Sequence, residues 1–129
     1  MLQTKLDLYG LQFGDFLTGL MIEVEREGMR FRYGLGNDSG NKLSVTQVTP
    51  AATTGTLFSL DYALTSEMII RIKRVDDDLI FEWRPQDVFE EVYRLSLPQG
   101  SKVINGGPFA ATQSPLELNV MFDYVLLRS

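Results

Sequence analysis

The sequence contains no cysteine and no histidine, and these two absences exclude several classes of functional site. Without cysteine, the chain can form no disulfide bond and offers no thiol nucleophile. Without either residue, it cannot build a Cys/His zinc site, a Ser-His-Asp triad or a Cys-His catalytic pair. Catalysis by carboxylates is still open, because glycoside hydrolysis needs only a pair of acidic side chains.

Positive charge is also scarce, since 12 basic side chains stand against 17 acidic ones and the net charge is -5. An acidic surface repels phosphate backbones and anionic lipid, so we expect neither a nucleic acid nor a membrane as a partner. No apolar run approaches the roughly 20 residues that a membrane helix needs. The N-terminus lacks the basic start and apolar stretch of a signal peptide, which slightly favours the cytoplasm.

The composition is otherwise that of a globular protein. The chain has 129 residues, of which 44% are hydrophobic and 22% charged. We therefore expect a single domain over residues 1–129 with an ordinary apolar core. The sequence does not say whether these residues are a complete protein or a module of a longer one.

The dominant pattern is an alternation of period two, which is typical of β-strands with one buried face. In the strand that contains Leu79, Phe81 and Trp83, for example, these three side chains would share one face and Ile80 and Glu82 the other. Turn-forming residues separate the alternating stretches. Six or more short strands joined in this way predict an all-β, antiparallel sandwich or barrel. The predicted strands cover residues 20–25, 29–35, 43–48, 68–73, 79–84 and 116–124.

Three segments are less clear. Residues 57–64 and 85–91 could each form a short helix, although a loop or a strand edge fits their composition equally well. Residues 51–56 follow Pro50 and are rich in alanine and threonine, so we expect a loop there.

Several segments occur in an order that is similar to a known family. They are Phe31-Arg32-Tyr33-Gly34-Leu35, Ile70-Arg71-Ile72-Lys73-Arg74, Phe81-Glu82-Trp83, Gly107-Pro108-Phe109-Ala110-Ala111 and Phe122-Asp123-Tyr124-Val125-Leu126-Leu127. From about residue 17 onward, the chain resembles the DUF1349-like branch of the concanavalin A-like lectin/glucanase superfamily, with a shortened N-terminus. Asp87-Val88-Phe89 stands where that branch commonly carries a DG-x-x-W signature. The resemblance implies a two-sheet antiparallel jelly-roll sandwich, and it makes a carbohydrate the expected ligand.

The middle strands supply the candidate ligand contacts. Guanidinium and carboxylate groups on an outward sheet face suit sugar hydroxyls, and an aromatic ring can stack on a sugar. We therefore predict a non-catalytic, lectin-like binding module that needs no metal and no cofactor. In this module arginines donate hydrogen bonds to the ligand, Glu82 accepts them, and Trp83 is a stacking platform at the rim. The alternatives are ordinary cross-strand ion pairs and, for Trp83, packing in the core. The predicted contacts are Arg32, Arg71, Glu82, Trp83 and Arg84.

Two other functions fit the same sequence. One is glycoside hydrolysis by Glu23, Glu25 and Glu27, which alternate along a predicted strand about 6.6 Å apart, a spacing close to that of glycosidase carboxylate pairs. The alternative for these three residues is a charged strand end before a turn. Apolar residues such as Ile69 and Ile80 occur on the outward faces of strands, so either a loop or a second subunit covers them. This second observation predicts a structural or protein-interaction sandwich that forms a homo-oligomer. The oxygen-rich residues 37–41 also leave a weak calcium site open.

Overall fold

Ten strands make up nearly all of the computed structural model, which describes residues 1–8, 16–25, 28–37, 41–51, 54–61, 67–85, 87–112 and 120–127. No helix able to span a membrane occurs within these ranges. The strands are β1 (Leu2–Leu8), β2 (Phe16–Val24), β3 (Met29–Asn37), β4 (Asn41–Val48), β5 (Thr54–Asp61), β6 (Glu67–Val75), β7 (Asp78–Arg84), β8 (Glu90–Ser96), β9 (Val103–Thr112) and β10 (Val120–Leu127).

The strands form two five-stranded sheets that pack face to face. Sheet I has the order β10-β1-β6-β7-β8, and sheet II has the order β5-β4-β3-β2-β9. All pairings described are antiparallel, and most join neighbours along the chain. The first and last strands pair with each other, with Leu2 opposite Leu127. The predicted all-β fold of two antiparallel sheets is therefore confirmed as a β-sandwich.

The core lies between the sheets and consists of the apolar set of each alternating strand. On β7, Leu79 and Phe81 are buried, and on β3 the ring of Tyr33 is fully buried. Tyr33 and Phe81 meet across the sheets with their ring centroids 5.3 Å apart and their planes at 79°. Edge-to-face contacts of this kind add to the stability gained from burying the rings. The alternation read from the sequence thus decides which side chains face the other sheet.

The two segments with a weak helical pattern contain no helix among their described residues: residues 57–61 are strand, and residues 85 and 87–89 connect β7 to β8, which begins at Glu90. Residues 57–61 belong to β5, which pairs with β4 and places Phe58 on Tyr93 of the opposite sheet, with ring centroids 5.7 Å apart. Strand pairing and packing between the sheets therefore override the local helical pattern of residues 57–61. The expected loop at 51–56 is shorter than predicted, because β5 begins at Thr54. Residues 116–119 of the last predicted strand lie outside the described residues.

Two glycines allow β2 and β3 to approach closely at the centre of sheet II. Gly19 and Gly34 lie opposite each other in the register. A Cβ atom added at Gly34 would lie 2.6 Å from the carbonyl carbon of Thr18 and closer still to its oxygen. A side chain at this position would therefore force the two backbones apart.

We predict that Gly34→Ala lowers the free energy of unfolding by about 3 kcal/mol, because the added methyl group overlaps backbone atoms that cannot move aside. Gly55→Ala is the matched control, since nothing lies within 4 Å of a Cβ added there. Its effect should stay within about 0.5 kcal/mol. Urea unfolding followed by the fluorescence of Trp83 measures both variants, and equal stabilities would contradict the close approach.

Candidate functional site

Charged side chains of β6 and β7 gather on the outer face of sheet I. Ile70 and Ile72 are buried in the core, so the residues between and after them, Arg71 and Lys73, lie on the opposite face. The antiparallel register sets Arg71 opposite Glu82. Side chains directly opposite each other on paired strands lie close enough to interact, so the sequence alternation and the hairpin register together assemble this cluster.

Glu82 is the centre of the cluster. Its side chain is only 8% exposed, and Nε of Arg71 donates a 2.7 Å hydrogen bond to its Oε1. Nζ of Lys73 lies 3.4 Å from the same oxygen. A carboxylate this far from water needs such partners, because an unpaired buried charge is costly. The two cations therefore hold the Glu82 side chain in one position.

An aromatic ring covers the ion pair. Phe89, in the segment between β7 and β8, is half-buried, and the guanidinium carbon of Arg71 lies 3.7 Å from its ring centroid. The guanidinium carbon of Arg84 lies 6.0 Å from the same ring. Stacking on an aromatic face stabilises an arginine and holds its plane in one orientation. We call Arg71, Glu82, Arg84 and Phe89 the Phe89 patch.

A second charged group borders the patch along β8. Arg94 donates from Nη2 to Glu91 at 2.8 Å and lies 3.3 Å from Asp78. The hydrogen bond that Arg94 donates to Glu91 is the main cause that raises the pKa of Arg94 above its usual value. These exposed pairs contribute little to stability, but they keep this edge of the sheet polar.

The five predicted ligand contacts fall in three places. Arg71, Glu82 and Arg84 are together in the Phe89 patch. Arg32 lies on the outer face of the other sheet, where its guanidinium carbon is 5.6 Å from the ring of Phe109. Among the described residues, no group accepts a hydrogen bond from the buried Nε of Arg32. Trp83 is on the inner face of β7 and packs, partly buried, against the core.

Phe89 was not among the predicted contacts. It lies in a segment without regular alternation, and only the fold brings it over Arg71. Its neighbours in the sequence, Asp87 and Val88, offer no pattern that indicates a ligand contact.

The predicted acidic run does not form one face of a strand. Glu23 lies on β2, with Nε of Arg30 3.9 Å from its carboxylate. Glu25 lies beyond the end of β2, and its backbone N–H donates to the carbonyl oxygen of Lys102 at 2.8 Å. The third member, Glu27, is outside the described residues. In the part of the chain that the structure describes, no group of three or more acidic side chains could hold a metal ion.

The apolar residues on the outer face are partly covered by the chain itself. Ile80 is 3% exposed in a single chain, and its register neighbours are the long side chains of Lys73 and Arg94. Ile69 is half-buried. The stems of long charged side chains can cover apolar surface while their heads reach water. Burial of Ile80 therefore does not need a second subunit.

Comparison with known proteins identifies the fold. No protein-family model matches the sequence, and no curated protein matches it either. Among solved structures, a functionally unknown protein from Saccharomyces cerevisiae is similar, with a TM-score of 0.66 and 13% sequence identity. The match covers 95% of this chain and 69% of that one. At this identity the likeness concerns the fold alone.

A buried tyrosine lies beneath the patch. Tyr33 is fully buried, and its hydroxyl has no hydrogen-bond partner within the described ranges. Burial raises the pKa of Tyr33 far above its usual 10.0, and the negative charge of Glu82 adds to the shift. The hydroxyl is therefore held neutral, at the cost of an unmade hydrogen bond.

We predict that Tyr33→Phe raises the free energy of unfolding by about 1 kcal/mol at pH 7, because it removes an unsatisfied buried hydroxyl. Above about pH 10, tyrosine ionises in the unfolded chain but not in the folded one, so the wild type loses stability as the pH rises. The advantage of the variant should therefore grow between pH 10 and pH 11. Urea unfolding of the wild type and the variant at pH 7, pH 10 and pH 11 measures this difference in stability. A variant that is less stable than the wild type at pH 7 would show that the Tyr33 hydroxyl makes a hydrogen bond.

Proposed function

We propose that this chain is a non-catalytic, lectin-like carbohydrate-binding module and that the Phe89 patch is its binding surface. The observation that carries the proposal is the stack of Phe89 on Arg71, beside the carboxylate of Glu82 and the exposed guanidinium of Arg84. A sugar presents hydroxyl groups and an apolar ring face. An arginine fork, a carboxylate and an aromatic edge match both of these features.

The patch is suited to binding because its members are already held in place. Glu82 fixes Arg71 through a hydrogen bond, and Phe89 restricts the plane of the guanidinium group. Ordering long side chains on binding costs about 0.5–1.5 kcal/mol each, so a patch that is ordered beforehand loses less affinity. Arg84 is the exposed member and the first donor that an incoming ligand would meet.

Binding without catalysis fits the state of the carboxylates on this face. Glu82 is paired with Arg71 and Lys73, and both Glu91 and Asp78 are paired with Arg94. A glycosidase needs a pair of carboxyl groups that are free to face the glycosidic bond. The carboxylates on this face are instead engaged with arginine and lysine side chains.

Membership of the concanavalin A-like superfamily, and of its DUF1349-like branch, is part of the same proposal. The two five-stranded antiparallel sheets and the pairing of β1 with β10 support a jelly-roll connection of this type. The order of the sequence segments supports the branch. Neither observation depends on the Phe89 patch, so a different ligand would leave the fold proposal intact.

A glycan array with the wild-type protein tests the carbohydrate proposal, followed by titration of a bound glycan into two variants. We predict that Phe89→Ala and Arg84→Ala each weaken binding about tenfold or more, which corresponds to about 1.4 kcal/mol. Arg30→Ala is the matched control, because it removes an exposed arginine from the outer face of the other sheet and should bind within twofold of the wild type.

An array without any bound glycan would contradict the proposal, as would variants of the Phe89 patch that bind like the wild type. Light scattering on the same samples distinguishes the alternative function. A dimeric mass together with an empty array would favour a structural sandwich that associates with a second copy.

A further inference from the structure

A cavity of about 310 Å³ opens at one end of the sandwich. None of its lining residues belongs to the Phe89 patch, although Lys73 of the lining contacts Glu82 of that patch. Its floor consists of core side chains from both sheets, namely Leu2, Ile22, Ile72 and Leu79. Val103 and Ile104, at the start of β9, form part of its mouth. The space is therefore an extension of the core that reaches solvent.

One inward position on the lining of the cavity carries no side chain. Gly106 lies opposite Ile22 in the register of β2 and β9. A Cβ atom added at Gly106 would lie 3.4 Å from Cδ2 of Leu2 and 3.6 Å from Cγ2 of Ile22, which are ordinary contact distances. Position 106 thus points into the cavity and could accept a larger residue. Glycine leaves this volume empty.

Apolar surface at the mouth is left in contact with water. Val103 is 39% exposed and Ile104 is 55% exposed. Contact of apolar area with water is unfavourable, and grouped exposed apolar residues beside a cavity mark a binding site more often than isolated ones do. A ligand with an apolar body would cover both side chains and fill the space behind them.

The polar groups on the lining favour an anion. Lys73 and Arg74 contribute to it together with Asn105, and no acidic residue lines it within the part of the chain that the structure describes. Arg74 donates from Nε to the carbonyl oxygen of Asp76 at 2.8 Å and from Nη2 toward Asp77 at 3.3 Å. A guanidinium group has five donors, so Arg74 can also receive a ligand carboxylate.

The nearby acids weaken this preference without reversing it. Asp77 partly neutralises Arg74, and Glu82 lies 3.4 Å from Nζ of Lys73 on the outer face of sheet I. Lys73 and Arg74 line the cavity, whereas their partners Glu82 and Asp77 lie outside it. A carboxylate at the mouth would meet Arg74 first, while a cation would be repelled.

We propose that this cavity binds an alkyl carboxylate of medium chain length, with the alkyl chain in the apolar space and the carboxylate at Arg74. The volume lies at the lower end of the roughly 300–1,000 Å³ of small-molecule sites, which favours a short ligand. The proposal does not rest on carbohydrate binding, because no residue of the Phe89 patch lines the cavity.

The test uses the full chain with labelled Ile, Leu and Val methyl groups and sodium decanoate as the probe, followed by NMR. Decanoate should shift the methyl signals of Ile22, Ile72, Leu79, Val103 and Ile104 in a saturable manner. Decanol, which has the same chain without the charge, should bind about tenfold more weakly. Arg74→Gln should reduce decanoate binding to the level of decanol.

Gly106→Leu fills the cavity and should weaken decanoate binding about tenfold or more. Gly107→Leu is its matched control, since nothing lies within 4 Å of a Cβ added there, and it should bind like the wild type. If Gly106→Leu disturbs the folded spectrum, Gly106→Val replaces it. The proposal is overturned if the wild type shows no saturable shifts or if the folded Gly106 variant binds equally well. Equal binding of decanol and decanoate would overturn the role of Arg74.

Discussion

The contact between the apolar faces of the two sheets is the constraint on which the rest of the structure depends. Tyr33 and Phe81 meet at its centre, and both side chains are fully buried. Because successive side chains of a strand point to opposite faces, fixing Phe81 inward places Glu82 outward. The same packing therefore determines the composition of the outer face. A shift of β7 by one residue would exchange the two sets and destroy both the core and the Phe89 patch.

The two proposed sites arise from different features of this sandwich. The Phe89 patch is built on the regular part of a hairpin, where ion pairs and one stacked ring hold polar groups on a flat sheet face. The cavity lies where that regularity ends, at a strand that carries glycine in place of a core side chain. A rigid sheet thus supports the first site, and incomplete filling of the core produces the second.

The sequence predicted most strongly those strands whose alternation is uninterrupted. β6 and β7 have clear apolar and polar sets, so their faces and the neighbourhood of Arg71, Glu82 and Arg84 could be predicted. In β8, a bulge opposite Phe81 and Glu82 interrupts the alternation of apolar and polar residues. In β9, Gly106, Gly107 and Pro108 make the alternation unrecognisable in the sequence. Alternation also predicts which face of a strand a residue occupies, but not which sheet that strand joins. The sequence therefore could not show that Arg32 and Arg71 lie on different sheets. The position of Phe89 depends on contacts between distant segments, which periodicity does not contain.

Nuclear Overhauser contacts of the Phe81 ring test this account most directly, in a protein with labelled Phe and Tyr rings. The Phe81 ring should show contacts with the rings of Tyr33 and Tyr93, whose centroids lie 5.3 Å and 6.1 Å away. Phe89 should instead show contacts with the side chain of Arg71 and none with Phe81. Contacts between Phe81 and Phe89, together with none between Phe81 and Tyr33, would place Phe81 on the outer face and contradict the account.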